Sequence, residues 1–357
     1  MILYHGNIIL PETVMENAYM GVEDGIITYI SKNPIDAEEL IETDGFIAPG
    51  FVDIHCHDCP ISSGYDEPQT VANYHYDRGT TSMLITIYRG YTHDEYMGYL
   101  NKIKDLMPKL KNLRGVHLEG PYLNGKYGAL TSEQEYPKKE DYMDYISTGV
   151  IRQWTCAPEV KGNIQFISDI KRAGIVPAIG HSEASCSKVK ESVFAGAGIV
   201  THIFDATGTT PDMELDEGFR GTHDVSFSEA CMLFDNLYYE VICDRDWVHV
   251  RKEMLELLVK TVGIDKVVTI TDCTMAPDDS DMDINIKNGE LSGSRLTMNR
   301  VARNLKNAGY TMSEISKMTA RNPARAINLE KRGEIAVGNF ADLIVVDSNY
   351  NFVRHLL

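Results

Sequence analysis

Phe46-Ile-Ala-Pro-Gly-Phe-Val-Asp-Ile-His-Cys-His57 decides how the rest of the chain is read. It is an apolar, strand-forming run that ends in two histidines one residue apart. Along an extended segment alternate side chains share a side, so both imidazoles point one way and Cys56 the other. A buried strand finishing in two metal-ligand side chains suggests a site at the end of a sheet. The reading then depends on whether other strands finish in the same way.

Seven further runs of the same character follow: 81–87, 113–120, 150–159, 174–182, 199–205, 238–244 and 266–272. Near-continuous apolar runs are what strands covered on both faces look like. Between several of them lie stretches with helical periodicity, at 94–110, 187–195 and 250–262. Alternating strands and helices predict an α/β fold. Eight such strands fit a (β/α)8 TIM-like barrel, whose chemistry sits on the loops at the C-terminal strand ends. An open doubly wound sheet is the structural alternative. The two chain ends differ: the first stretch and the segment after Gly333 alternate short apolar runs with turn residues, the mark of antiparallel strands. They are expected to pair into one small β-sandwich domain. That divides the chain into 1–48 and 330–357 for the β domain and 49–329 for the barrel.

The strand ends carry a consistent set of polar residues. The first ends in His55 and His57, the third in Glu119, the fifth in His181, the sixth in His202 and the eighth in Asp272. Four imidazoles and two carboxylates meeting at one mouth would hold one or two divalent ions, with Zn²⁺ favoured and Fe²⁺ or Mn²⁺ accepted. Each residue alone says little; together, in phase with the strands, they predict a metal centre. Cys56 and Cys59 form a C-x-x-C, but no second pair has zinc spacing, so a thiolate zinc site is not expected.

Composition excludes other classes. The chain has 357 residues, 43% hydrophobic and 24% charged, as expected of a globular protein with a sizeable core. Its net charge of −18 repels phosphate backbones and anionic lipid, so neither nucleic acid nor a membrane is expected as a partner. Seven cysteines, an odd number, and an N-terminus without a basic region before an apolar stretch point to a reduced, cytoplasmic protein.

These residues resemble the N-acetylglucosamine-6-phosphate deacetylases of the amidohydrolase superfamily along nearly the whole chain. The segments that carry the resemblance are Ala48-Pro-Gly-Phe-Val-Asp-Ile-His-Cys-His57, Gly115-Val-His-Leu-Glu-Gly-Pro-Tyr-Leu-Asn124, Ala157-Pro-Glu159, Gly180-His-Ser182, Thr201-His-Ile-Phe204, Thr271-Asp272, Leu291-Ser-Gly-Ser294 with Leu296-Thr-Met298, and Asn322-Pro-Ala-Arg-Ala326. It implies that Glu119, His181 and His202 bind the principal metal and that His55 and His57 serve a second. Asp272 is expected to take the proton of the attacking water and return it to the amine. His249, Asp205 and Ala206 fall at substrate-contacting positions, and a homodimer is implied. The expected reaction is hydrolysis of an N-acetyl amide, with N-acetylglucosamine-6-phosphate as the substrate. The alternative is a related amidohydrolase that deacylates a different N-acyl amine, phosphorylated or not.

Departures fall on the substrate side. Leu130 stands where the family has a histidine near the scissile bond, and Asp205 where it has an asparagine. The family's phosphate-pairing arginine segment becomes Glu214-Leu-Asp-Glu-Gly-Phe-Arg220, with Arg220 at a different spacing. Strand four ends in Trp154-Thr155-Cys156-Ala157-Pro158-Glu159, without the lysine that bridges two metals in related hydrolases, leaving Glu119 to bridge.

Overall fold

A computed structural model describes residues 1–129, 133–209, 225–287 and 289–356. The N-terminal strands are β1 (Ile2–Ile9), β2 (Val14–Glu23), β3 (Ile26–Ser31) and β4 (Glu39–Pro49). Eight strands then alternate with helices: β5 (Phe51–Cys56), β6 (Thr80–Tyr88), β7 (Leu113–Glu119), β8 (Ile151–Cys156), β9 (Val176–Ile179), β10 (Ile199–Val200), β11 (Tyr238–Ile242) and β12 (Val267–Ile270). A hairpin, β13 (Ile284–Lys287) and β14 (Glu290–Ser294), follows, and β15 (Leu343–Val346) and β16 (Phe352–His355) close the chain.

Strands β5 to β12 hydrogen-bond in sequence order as neighbours in one eight-stranded sheet, all ladders parallel. The two edges meet through single hydrogen bonds: Asp272 N–H donates to the His55 carbonyl at 2.8 Å, and His57 and Asp58 N–H both donate to the Cys273 carbonyl. That closes a (β/α)8 barrel. The strands of both chain ends join in one six-stranded sheet, order β16-β15-β4-β1-β2-β3, with its own buried core that includes Tyr4, Ile8, Met20, Ile47 and Val345.

Three expectations change in detail. The run from Phe46 to His57 is two strands, β4 in the terminal sheet and β5 in the barrel, because the chain turns at Gly50. A Cβ there would lie 2.2 Å from the Thr81 side chain, so only glycine lets the strands approach this closely. Strand four ends at Cys156, short of Glu159. Strand six is only Ile199–Val200; residues 201–205 already turn, although Ile203 is fully buried. The helices match their periodicity closely, at His93–Leu106, Cys186–Ala195 and Lys252–Val262. Among the described residues no helix is long and apolar enough to cross a membrane.

Candidate metal centre

The strands fix where each polar side chain arrives. His55 lies within β5 and His57 one residue past its end, while Glu119 is the last residue of β7. His181, His202 and Asp272 each stand two residues beyond the last residue of β9, β10 and β12. All three have left-handed backbone, with φ of 48°, 24° and 46°. Such a conformation costs a non-glycine residue on the order of 1–3 kcal/mol and persists where the surroundings impose it. Here the turn folds each side chain back over the barrel mouth.

The side chains converge on Glu119. Its Oε1 lies 2.8 Å from His181 Nε2, 2.9 Å from His202 Nε2 and 3.5 Å from His55 Nε2, and its Oε2 lies 3.1 Å from His57 Nε2. Asp272 Oδ1 is 3.3 Å from His57 Nε2 and 3.5 Å from His55 Nε2. Two groups of possible ligands share the glutamate: His55, His57 and Glu119, and Glu119, His181 and His202. Thus the structure brings together every residue expected to ligate or to carry the reaction.

The electrostatics follow from this crowding. Burial pushes the Glu119 carboxyl up, but the charges of His55 and His181 and hydrogen bonds from His181 and His202 outweigh it and hold it well below its ordinary range. Asp272 is lowered in the same way, burial being outweighed by His55 and by the hydrogen bond to His57. Burial alone would lower His57 and His202. Hydrogen bonds and charge from Asp272 and Glu119 raise His57, and the hydrogen bond and charge of Glu119 with the charge of Asp272 raise His202, each to about 9.

A divalent ion fits this donor set. Nε2 of His181 and of His202 face each other at 3.0 Å, and the buried Nε2 of His55 has no hydrogen-bond partner among the described residues. Nitrogen atoms packed this closely around a carboxylate form a donor set that suits a divalent cation. The mouth opens into a cavity of about 810 Å³, lined in part by Tyr65, Tyr88, Tyr91, Asp205, Ala206 and Lys287.

The substrate-side expectations separate. Asp205 and Ala206 line the cavity, and Ala206 N–H donates to the Asp205 carboxylate at 3.2 Å. His249 is not on the cavity wall. It is buried, with Nδ1 3.1 Å from Asp244 Oδ2, while its Nε2 has no partner among the described residues. Leu130 and Arg220 lie outside the described residues.

Sequence reasoning missed the supporting groups. Glu240 in β11 reaches His55 Nδ1 at 3.0 Å, and Asp53 accepts the Thr271 hydroxyl proton at 2.6 Å beside the closure of the barrel. Glu159 accepts from Asn124, Ser182 Oγ and the Glu183 main chain, bracing the turn that carries His181. A glutamate inside an otherwise apolar strand was the available signal for Glu240. Nothing in the sequence named its partner.

The chain as a whole is similar to known proteins. A sequence model of the amidohydrolase family matches residues 46–355. The N-acetylglucosamine-6-phosphate deacetylases of Lysinibacillus sphaericus and Bacillus subtilis are each 26% identical to this chain. The first aligns over 92% of this chain and 89% of its own length, the second over 96% and 92%. The crystal structure of the Mycobacterium smegmatis deacetylase of the same name superposes with a TM-score of 0.86 at 23% identity, covering 100% of this chain and 98% of its own.

Proposed function

This chain belongs to the amidohydrolase family, and on that premise we propose that it is a metal-dependent deacetylase of N-acetylglucosamine-6-phosphate. The products are glucosamine-6-phosphate and acetate. The observation that carries the reading is the meeting of four imidazoles on Glu119, with the Asp272 carboxylate 3.3 Å from one of them. The similarity to deacetylases along almost the full chain supports the substrate.

His181, His202 and Glu119 would hold one ion, and His55, His57 and Glu119 a second. Zn²⁺ is the ion we assign first, with Fe²⁺ or Mn²⁺ as alternatives. A divalent cation bound there supplies water of pKa near about 7 and polarises a carbonyl. Asp272 is the base. Held deprotonated by its imidazole neighbours, it takes a proton at its carboxylate and delivers it to the departing amine nitrogen. Asp205 and Ala206 contact the sugar end of the substrate from the cavity wall. His249, anchored through Nδ1 by Asp244, is buried off the cavity wall, so contact of its Nε2 with the substrate requires the ring to shift toward the mouth. All seven cysteines are free, which supports a reducing, cytoplasmic setting, and the resemblance supports a homodimer.

The decisive experiment is acetate release from N-acetylglucosamine-6-phosphate by the zinc-loaded protein. No release from the phosphosugar, with release from another member of a panel of N-acyl amines, would overturn the substrate. Equal rates with the unphosphorylated sugar would show that the phosphate is not read. A Glu119→Gln variant separates this chemistry from that of a deaminase in the same family. The glutamate is common to both ligand groups, so the variant should lose its bound ions together with activity. Ions retained at wild-type stoichiometry would count against the ligand assignment.

A further inference from the structure

Glu240 is fully enclosed at the centre of β11, between Tyr239 and Val241, and its carboxylate has three partners. Oε2 lies 3.0 Å from His55 Nδ1 and accepts the main-chain N–H of His202 at 3.4 Å; Oε1 accepts from Gln153 Nε2 at 2.6 Å. Packing alone would be met by valine or leucine here. A buried carboxylate is costly unless its partners need it.

We propose that Glu240 is a positioning residue that makes His55 a metal ligand, an inference that rests on the metal-hydrolase reading above. By accepting the Nδ1 proton it fixes the tautomer of His55, so that Nε2 carries the free lone pair. That Nε2 is the atom with no hydrogen-bond partner among the described residues, and it lies 3.5 Å from Glu119 Oε1 and 3.5 Å from Asp272 Oδ1. The other rings are backed differently. His181 Nδ1 faces the neutral carbonyl of Tyr127 at 3.2 Å, and His202 Nδ1 has no partner among the described residues. Of these three rings, His55 alone is backed by a carboxylate. A ring whose outer nitrogen donates to a carboxylate is a more basic ligand, so the ion held by His55 and His57 depends on Glu240 more than the ion held by His181 and His202. The contact to the His202 amide ties the turn that carries a ligand of the other ion to the same oxygen, Oε2.

The variant Glu240→Gln isolates the charge. Gln153 Oε1 has no partner among the described residues and can receive the new amide N–H, leaving the amide oxygen for His55. The experiment titrates chelator-stripped full-length protein with Zn²⁺ by calorimetry and follows Co²⁺ uptake by visible absorption. Wild type should take up two ions. In Glu240→Gln one of the two should bind about 10- to 100-fold more weakly while the other stays within about twofold. The cobalt spectrum of the weakened site should change. Glu240→Leu should lose that ion altogether; if this variant does not fold, the glutamine variant decides. Two ions bound by the folded variants as tightly as by wild type would overturn the inference. A wild-type protein that takes up one ion yet deacetylates the phosphosugar would also overturn it, while leaving the activity standing. If wild type takes up two ions but releases no acetate, the activity fails, and the response of the variants still decides the role of Glu240.

Discussion

The Asp272 main-chain N–H donates to the carbonyl oxygen of His55 at 2.8 Å. This bond joins the first barrel strand to the last at the point where both present functional side chains. Thr271 reinforces it, donating its hydroxyl proton to Asp53 Oδ2 at 2.6 Å, and the Asp272 carbonyl accepts from Ser294 N–H of the hairpin over the mouth at 2.8 Å. Closing the barrel and assembling the site are therefore one event. The carboxylate proposed to move the proton is fixed relative to the imidazoles by main chain, which leaves little freedom for misplacement.

Replacement of Asp272 by asparagine preserves that main-chain bond and the side-chain shape while removing the base. Neither group of three ligands built on Glu119 includes Asp272. The Asp272→Asn variant should retain bound metal by elemental analysis, with kcat for acetate release lowered by about 10²- to 10⁴-fold. A loss below tenfold would remove Asp272 as the proton carrier.

Asp205 places a negative charge on the cavity wall, where a phosphorylated substrate brings two more. Like charges at close range repel by on the order of 1–4 kcal/mol depending on hydration. Asp205→Asn keeps an oxygen that can accept the Ala206 N–H. It should lower KM for the phosphosugar about five- to tenfold and leave KM for the unphosphorylated sugar unchanged. Equal changes for both substrates would show that the carboxylate does not face the phosphate.

Gly128 lies against His181 with φ of +94°, and a Cβ would stand 2.8 Å from the imidazole Cε1 and 2.9 Å from Nδ1. The Gly128→Ala side chain would displace the ring from its place beside Glu119. A misplacement on the ångström scale can cost a factor of about 100 in rate. The expected result is a fall in kcat/KM of at least about tenfold with an unchanged far-ultraviolet circular dichroism spectrum. Full activity would mean that the ring position is not critical.

The barrel was legible because buried parallel strands must be apolar on both faces, and the candidate ligands were legible because they stand at strand ends in one phase. Their conformation was not. Nothing about His181, His202 or Asp272 as residue types announces a left-handed backbone, which the surrounding contacts impose. The division at Gly50 was hidden because Phe46–Ala48 and Phe51–Ile54 are both largely apolar, the first in a strand of the terminal sheet and the second in a strand of the barrel. Ile203 misled for a related reason, since a buried turn is as apolar as a buried strand. Glu240 was visible as an anomaly in β11, but its partner His55 is 185 positions away. Pairing over that distance is a property of the closed barrel rather than of any local pattern.

His75 sets a testable acid limit on stability. It is fully buried, and burial, with some help from Arg78, lowers its pKa from the ordinary 6.5 to about 4 despite the hydrogen bond to the Asp58 carbonyl at 3.0 Å. The folded protein therefore keeps this ring neutral where the unfolded chain protonates it. Its contribution is fully present above pH 6.5 and is lost as the pH falls from there towards about 4, in total about 3 kcal/mol. His117, also buried and lowered, adds a slope of the same sign that is common to wild type and variant and so cancels between them. Urea unfolding of metal-free wild type and His75→Gln across this range should show the variant losing about 3 kcal/mol less than wild type. Parallel curves would mean that His75 is protonated equally in both states, and that the buried environment around this ring is wetter than its packing indicates.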